Sequence, residues 1–153
     1  MQMLPLLLFV ELAKAQEPTT VLVSQFQARN EEAKALAALV ENFIAAELKK
    51  NAQIQVVRVE QLPGFADYSA RTYLQSCPSG DMDGCTLVAA ERGDVQWAIT
   101  GTTKALPGGT KVEVDILDIR SGKLVVSAVL ELESGQDDVF ARGVADLLSK
   151  ALS

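Results

Sequence analysis

The hydrophobic period of this chain changes part-way along it, and that change limits the fold more than any other feature. Between Asn30 and Asn51, the residues Leu36, Leu39, Val40, Phe43, Ile44 and Leu48 recur at the three-and-four spacing of one buried helix face. From Val95 the period is two. Val95, Trp97 and Ile99 alternate with Gln96, Ala98 and Thr100, and Lys111 to Ile119 and Leu124 to Glu133 follow as further strand-like stretches. A chain with both periods fits neither a helical bundle nor a pure β-sandwich.

The remaining elements fall around these two blocks. Thr20 to Phe26 is a near-continuous apolar run rich in β-branched residues, which predicts a central strand. Asn30 is placed to cap the long helix, Glu31 and Glu32 occupy its first turn, and Lys49-Lys50 complements the dipole at its end. Ile54 to Val59 predicts a second strand, and strand–helix–strand at this spacing favours a parallel pair with a right-handed crossover. Leu62-Pro63-Gly64-Phe65 breaks that strand. A shorter helix is expected over Asp67 to Gln75, burying Ala70, Tyr73 and Leu74. Another follows Gly84, carrying Leu87, Val88 and Ala90 inward and ending at Gly93 as a left-handed cap. Turns at Pro107-Gly108-Gly109 and Arg120-Ser121-Gly122-Lys123 separate three antiparallel strands. In the middle one Val112, Val114 and Ile116 oppose Lys111, Glu113 and Asp115, but Leu117 and Ile119 are out of phase; a bulge or cover on both faces would account for that. Asp137 and Asp138 open a last helix with Phe140, Val144, Leu147, Leu148 and Ala151 on its apolar face. The expected class is α/β (α+β): a single mixed five-stranded sheet, order β-α-β-α-α-β-β-β-α, with helices packed on the sheet.

At 153 residues, 48% hydrophobic and 22% charged, one packed core is expected. The net charge of −6 and the lack of a basic patch argue against a nucleic-acid partner, which would need clustered Lys and Arg. Met1 to Val10 is almost wholly apolar, and Ala13-Lys14-Ala15 before Gln16 has the small-x-small form of a signal-peptidase site. Residues 1–15 are therefore read as a signal peptide cleaved after Ala15, and 16–153 as a single domain, periplasmic or secreted and without a transmembrane span in the mature chain. No Lys or Arg precedes the apolar run, which leaves two alternatives: a true start further upstream, or a mature N-terminal arm. No Cys stands at the cleavage point to take a lipid anchor.

Cys77 and Cys85 bracket Pro78-Ser79-Gly80-Asp81-Met82-Asp83-Gly84, a segment whose Pro and Gly turn the chain back on itself. A disulfide across it suits an oxidising compartment. Two reduced, buried thiols are the alternative. A metal site would need more ligands and a different spacing, and a redox pair would want C-x-x-C. The chain contains no His, which removes Ser-His-Asp and Cys-His catalysis and the commonest metal ligand. A Ser-Lys site or a carboxylate pair is left open, and no motif singles one out. Gly108-Gly109-Thr110-Lys111 resembles a phosphate loop but lacks its leading glycine and its helix. Asp81-Met82-Asp83-Gly84 resembles the start of a calcium loop but lacks the later ligands. No catalytic, cofactor-binding or metal-binding set emerges. Trp97 reads as core. Tyr68 and Tyr73, beside the cysteines, are the candidate partner-contact residues, because pinned loops carry function on rigid scaffolds.

The stretch Arg92-Gly93-Asp94-Val95-Gln96-Trp97-Ala98-Ile99-Thr100-Gly101, followed by Lys111 to Asp118 and Ile119-Arg120-Ser121-Gly122-Lys123-Leu124-Val125, resembles a known pattern. It is similar to "helix, G-A-D, strand ending in G, strand ending in D-x-x-x-G, strand" of the TolB N-terminal-like and CsgG-like envelope domains. The resemblance implies a non-enzymatic module that binds an envelope protein within a bacterial cell-envelope assembly, and it adds weight to the disulfide, since a relative carries Cys residues flanking its third helix. It brings no catalytic residues. A CsgG-like pore would want a lipid anchor and long membrane-spanning hairpins, and TolB's β-propeller is lacking, so neither protein's specific role transfers. The rival reading is a small-molecule or glycan-sensing module with a cleft between the middle helices and the sheet; an enzyme with an unmarked carboxylate or Ser-Lys site is the third.

Overall fold

Strand β1 (Thr19–Ala28) takes an interior place in the sheet although it is the first described strand, because its apolar run can be buried on both faces. A computed structural model describes residues 17–78 and 80–133, together with 142, 143, 146, 147 and 150. The expected signal peptide, and Asp137, Asp138, Phe140, Val144, Leu148 and Ala151 of the expected last helix, lie outside the described residues. β1 leads through a short 3-10 turn (Glu31–Ala33) into α1 (Lys34–Lys49), then β2 (Ile54–Arg58). Helices α2 (Ala70–Gln75) and α3 (Met82–Arg92) precede β3 (Trp97–Leu106), β4 (Gly109–Asp118) and β5 (Lys123–Glu133). The sheet order is β2-β1-β3-β4-β5, with β1 parallel to both its neighbours and β3, β4 and β5 antiparallel.

The pleat divides the core in two. Val21, Val23, Ile99, Val114 and Ile116 gather with Val40, Ile44 and Leu48 of α1 in one cluster, against which Leu147 also packs. Leu22, Ala98 and Leu117 gather with Leu74, Cys85 and Ala89 of α2 and α3 in the other. Neighbouring residues of one strand therefore serve opposite layers, as the period of two requires. Leu117 is out of phase for both reasons: β4 is covered on both faces, and its register with β5 shifts between Ile116 and Leu117.

Several local expectations need correction. Asn30 does not cap α1; its amide Nδ2 donates to the Ala105 carbonyl and its Oδ1 accepts from the Ala105 N–H, tying the end of β3 to the turn before the helix. The buried face of α1 runs through Ala37, Val40, Glu41, Ile44, Ala45 and Leu48, and Leu39 is 50% exposed. Small alanines let the backbone approach the sheet, and this selects a face rotated away from Leu36 and Leu39. α2 begins at Ala70, with Ser69 as its cap, and Tyr73 is only half-buried. α3 begins at Met82, running through Gly84, and turns Met82, Cys85, Thr86, Ala89 and Ala90 inward while Val88 faces solvent. At its end the left-handed residue is Asp94 (φ 53°), whereas Gly93 keeps a right-handed φ. Gly93 instead packs under Leu62, whose methyl would meet any β-carbon there. Trp97 lies half-buried against the first cluster.

Candidate functional site

The β2-to-β3 connection carries the chain past β1, on the face opposite α1. This makes the carboxyl end of β1 a switch point, where crevices open in α/β sheets. A cleft of about 430 Å³ lies there between α1 and α2, lined among others by Gln25, Gln27, Lys34, Glu41, Arg71 and Gln75. Its polar groups are largely committed to each other. β1 carries an irregularity between Val23 and Phe26, and the Glu41 carboxylate accepts the freed Phe26 N–H at 2.9 Å. Burial pushes the Glu41 carboxyl up, and this is opposed by that N–H and then by the positive charges of Arg71 and Arg58. Arg71 binds the Gln25 amide oxygen at 3.2 Å and pairs with Glu60, whose carboxyl its hydrogen bond holds below the usual range. The orphaned acceptor is Gln27 Oε1, which is buried with no hydrogen-bond partner among the described residues.

A second feature lies in the loop before α2. Phe65 stacks on Tyr68 (ring centroids 5.6 Å apart) and on Tyr73 (4.3 Å). The Arg92 guanidinium sits 4.4 Å over the Phe65 ring and donates to the Gly64 carbonyl at 2.6 Å. Paired backbone hydrogen bonds between Phe65 and Tyr68 shape the loop, and Arg92 at the end of α3 braces it. Tyr68 stays 47% exposed. Tyr73 and Tyr68, named from the sequence, are thus brought to one patch through Phe65. Phe65 and Arg92 were missed, and their separation along the chain left no local pattern that could have paired them.

Cys77 and Cys85 form a disulfide (Cα–Cα 6.3 Å) joining the end of α2 to the first turn of α3. Asp81 lies beside them, but bridged sulfurs are not thiolates, so the trio offers one carboxylate to a cation.

Carboxylates meet in a cavity of about 100 Å³ lined by Asp83, Asp115, Glu113 and Arg29. Burial, then the hydrogen bond to Asp115 and the charges of Asp115 and Asp81, push the Asp83 carboxyl up to about 7. Ser127 Oγ donates to Asp115 at 2.7 Å. Two hydrogen-bonded carboxyls are closer than the roughly 5 Å that glycosidase pairs keep. The space is also well below the ~300 Å³ of ordinary substrate pockets.

The same fold occurs in several solved structures. TolB from Acinetobacter baumannii matches over 90% of this chain at 14% identity with a TM-score of 0.58, and the chain spans 29% of that TolB chain. A PelC dodecamer from Paraburkholderia phytofirmans matches over 88% of each chain at 15% identity, TM-score 0.57. The LpoB C-terminal domain from Salmonella enterica matches over 78% of this chain and 85% of its own, at 14% identity and TM-score 0.57. The chain shares a fold with these proteins. At such identities the likeness concerns architecture alone. No family model matches the chain, and no curated protein matches it by sequence.

Proposed function

We propose that this is an exported, non-catalytic domain of the TolB N-terminal-like and CsgG-like kind, working by contact with an envelope protein in a bacterial cell-envelope assembly. The carrying observation is the Phe65–Tyr68–Tyr73 stack braced by Arg92. Aromatic and Arg side chains on a rigid support are the composition of interface hot spots, since they bury large area at small entropic cost. The fold shared with TolB and LpoB supports the envelope setting, and the Cys77–Cys85 disulfide supports an oxidising compartment. Among the described residues no helix is long and apolar enough to cross a membrane.

The test is capture from the native envelope under crosslinking, comparing the wild type with Phe65→Ala/Tyr68→Ala. Loss of one reproducible partner by about tenfold or more, with the melting temperature little changed, is the expected result. Equal recovery by both proteins would remove the aromatic patch from the function. The cleft at the end of β1 favours a second reading, a small-molecule or glycan-sensing module, because its volume and the orphaned Gln27 Oε1 fit a ligand with hydroxyl or N–H donors. A thermal shift with a sugar, retained in the aromatic double variant and lost in Gln27→Leu, would favour it.

A further inference from the structure

We infer that β5 is a self-pairing edge, along which two copies of the chain join antiparallel and turn two five-stranded sheets into one of ten strands. This goes beyond the aromatic contact surface and is carried by different residues. β5 pairs with β4 along one side from Lys123 to Glu133, and no described residue pairs with its other side. Its eleven residues make it the longest strand of the sheet. An open edge of that length offers a row of N–H and C=O groups to another strand unless something blunts it. Little here does. β5 contains no proline, and its irregularity is confined to the end near Val125.

The side chains choose the partner. The described residues include six large exposed apolar side chains, and three stand on β5: Leu124 (49%), Val125 (46%) and Val129 (56%). Their clustering on the open strand leaves apolar surface that strand addition would cover. The charge is polar along the strand, with Lys123 at its start and Glu131 near its end. Antiparallel pairing sets the basic start of each copy beside the acidic end of the other, and the two-fold axis repeats the attraction. Parallel pairing would set Lys123 beside Lys123 and Glu131 beside Glu131. A second copy thus complements this edge in charge and in apolar surface, through one self-matching patch.

Sedimentation velocity on the full chain over a range of concentrations tests this. The wild type is expected to show a reversible monomer–dimer equilibrium. Lys123→Glu and Glu131→Lys are each expected to lose the dimer, because each sets like charges side by side. An equimolar mixture of the two variants is expected to regain it, because every facing pair is then opposite in sign. Both side chains are solvent-facing, and circular dichroism of each variant checks that its fold is kept. A wild type that stays monomeric at every concentration overturns the proposal, as does a dimer unmoved in both single variants. An edge that pairs only with a different protein overturns it too.

Discussion

At Gly101 a β-carbon would press into the Glu113 carbonyl oxygen of β4 and lie 2.8 Å from the Phe26 ring, so this strand position has no space for any side chain. Gly101→Ala should therefore cost on the order of 3 kcal/mol through overpacking, read as a fall in the midpoint of chemical denaturation at unchanged m-value. The glycine was visible in the sequence as part of a resemblance; its reason lies across the sheet. Similarly, Asp118 of the D-x-x-x-G run accepts the N–H groups of Arg120 and Ser121, and Gly122 takes φ 69°. Asp83 carries a different consequence. Its carboxyl, raised above the unfolded value of 3.8 to about 7, keeps its proton in the folded state over a range where the unfolded chain releases it. The associated stability is fully present below the unfolded value and is lost as pH rises through about 7. Asp83→Asn should flatten that fall, seen as a smaller drop in melting temperature between about pH 5 and about pH 8 than the wild type shows. Asp115 and Asp81 repel its charged form, opposing any benefit from the start of α3, in a cavity that Glu113 and Arg29 also line.

Among the elements, α2 and α3 depend most on a covalent tie. α2 is six residues long, too short to hold itself by propensity, and its buried side is little more than Ala70 and Leu74. Closing the nine-residue loop between Cys77 and Cys85 contributes about 2.5 kcal/mol by loop entropy. Cys77→Ser/Cys85→Ser should lower unfolding stability by about that amount, and hydrogen exchange should quicken first in α2 and the first turn of α3. These two helices were also the ones least legible in the sequence. Gly84 reads as a boundary, yet α3 runs through it, because the bridge and the Asp81 carbonyl, which accepts the Cys85 N–H, fix that first turn. The sheet strands were legible because period two and glycine turns are local signals. The rotation of α1 was not: its apolar residues spread over more than one face, and only contact with the sheet chose among them. One clue was present, since Glu41 sits in the Ala37, Ala45 and Leu48 row, and a lone acid there points to a buried acceptor with a job.

For the whole molecule, the composition and the change of period led to one mixed sheet with helices on it, and the pairing pattern is that sheet. The candidate surfaces were less legible. Two tyrosines could be named from their neighbourhood, but the cleft needs Gln25, Glu41 and Arg71, residues joined only when the crossovers bring α1 and α2 to the end of β1. The position of β1 carries one more consequence. The first strand of the fold lies inside the sheet, between β2 and β3, and the hydrogen bonds that link its start to Gln96, just ahead of β3, span 76 residues. A polypeptide delivered amino end first, through a ribosome or a translocation pore, presents this greasy ribbon before β2 and long before β3, the two strands that flank it, have emerged. Keeping that ribbon from sticking to something else during the wait is a burden placed on the cell's holding factors by topology alone.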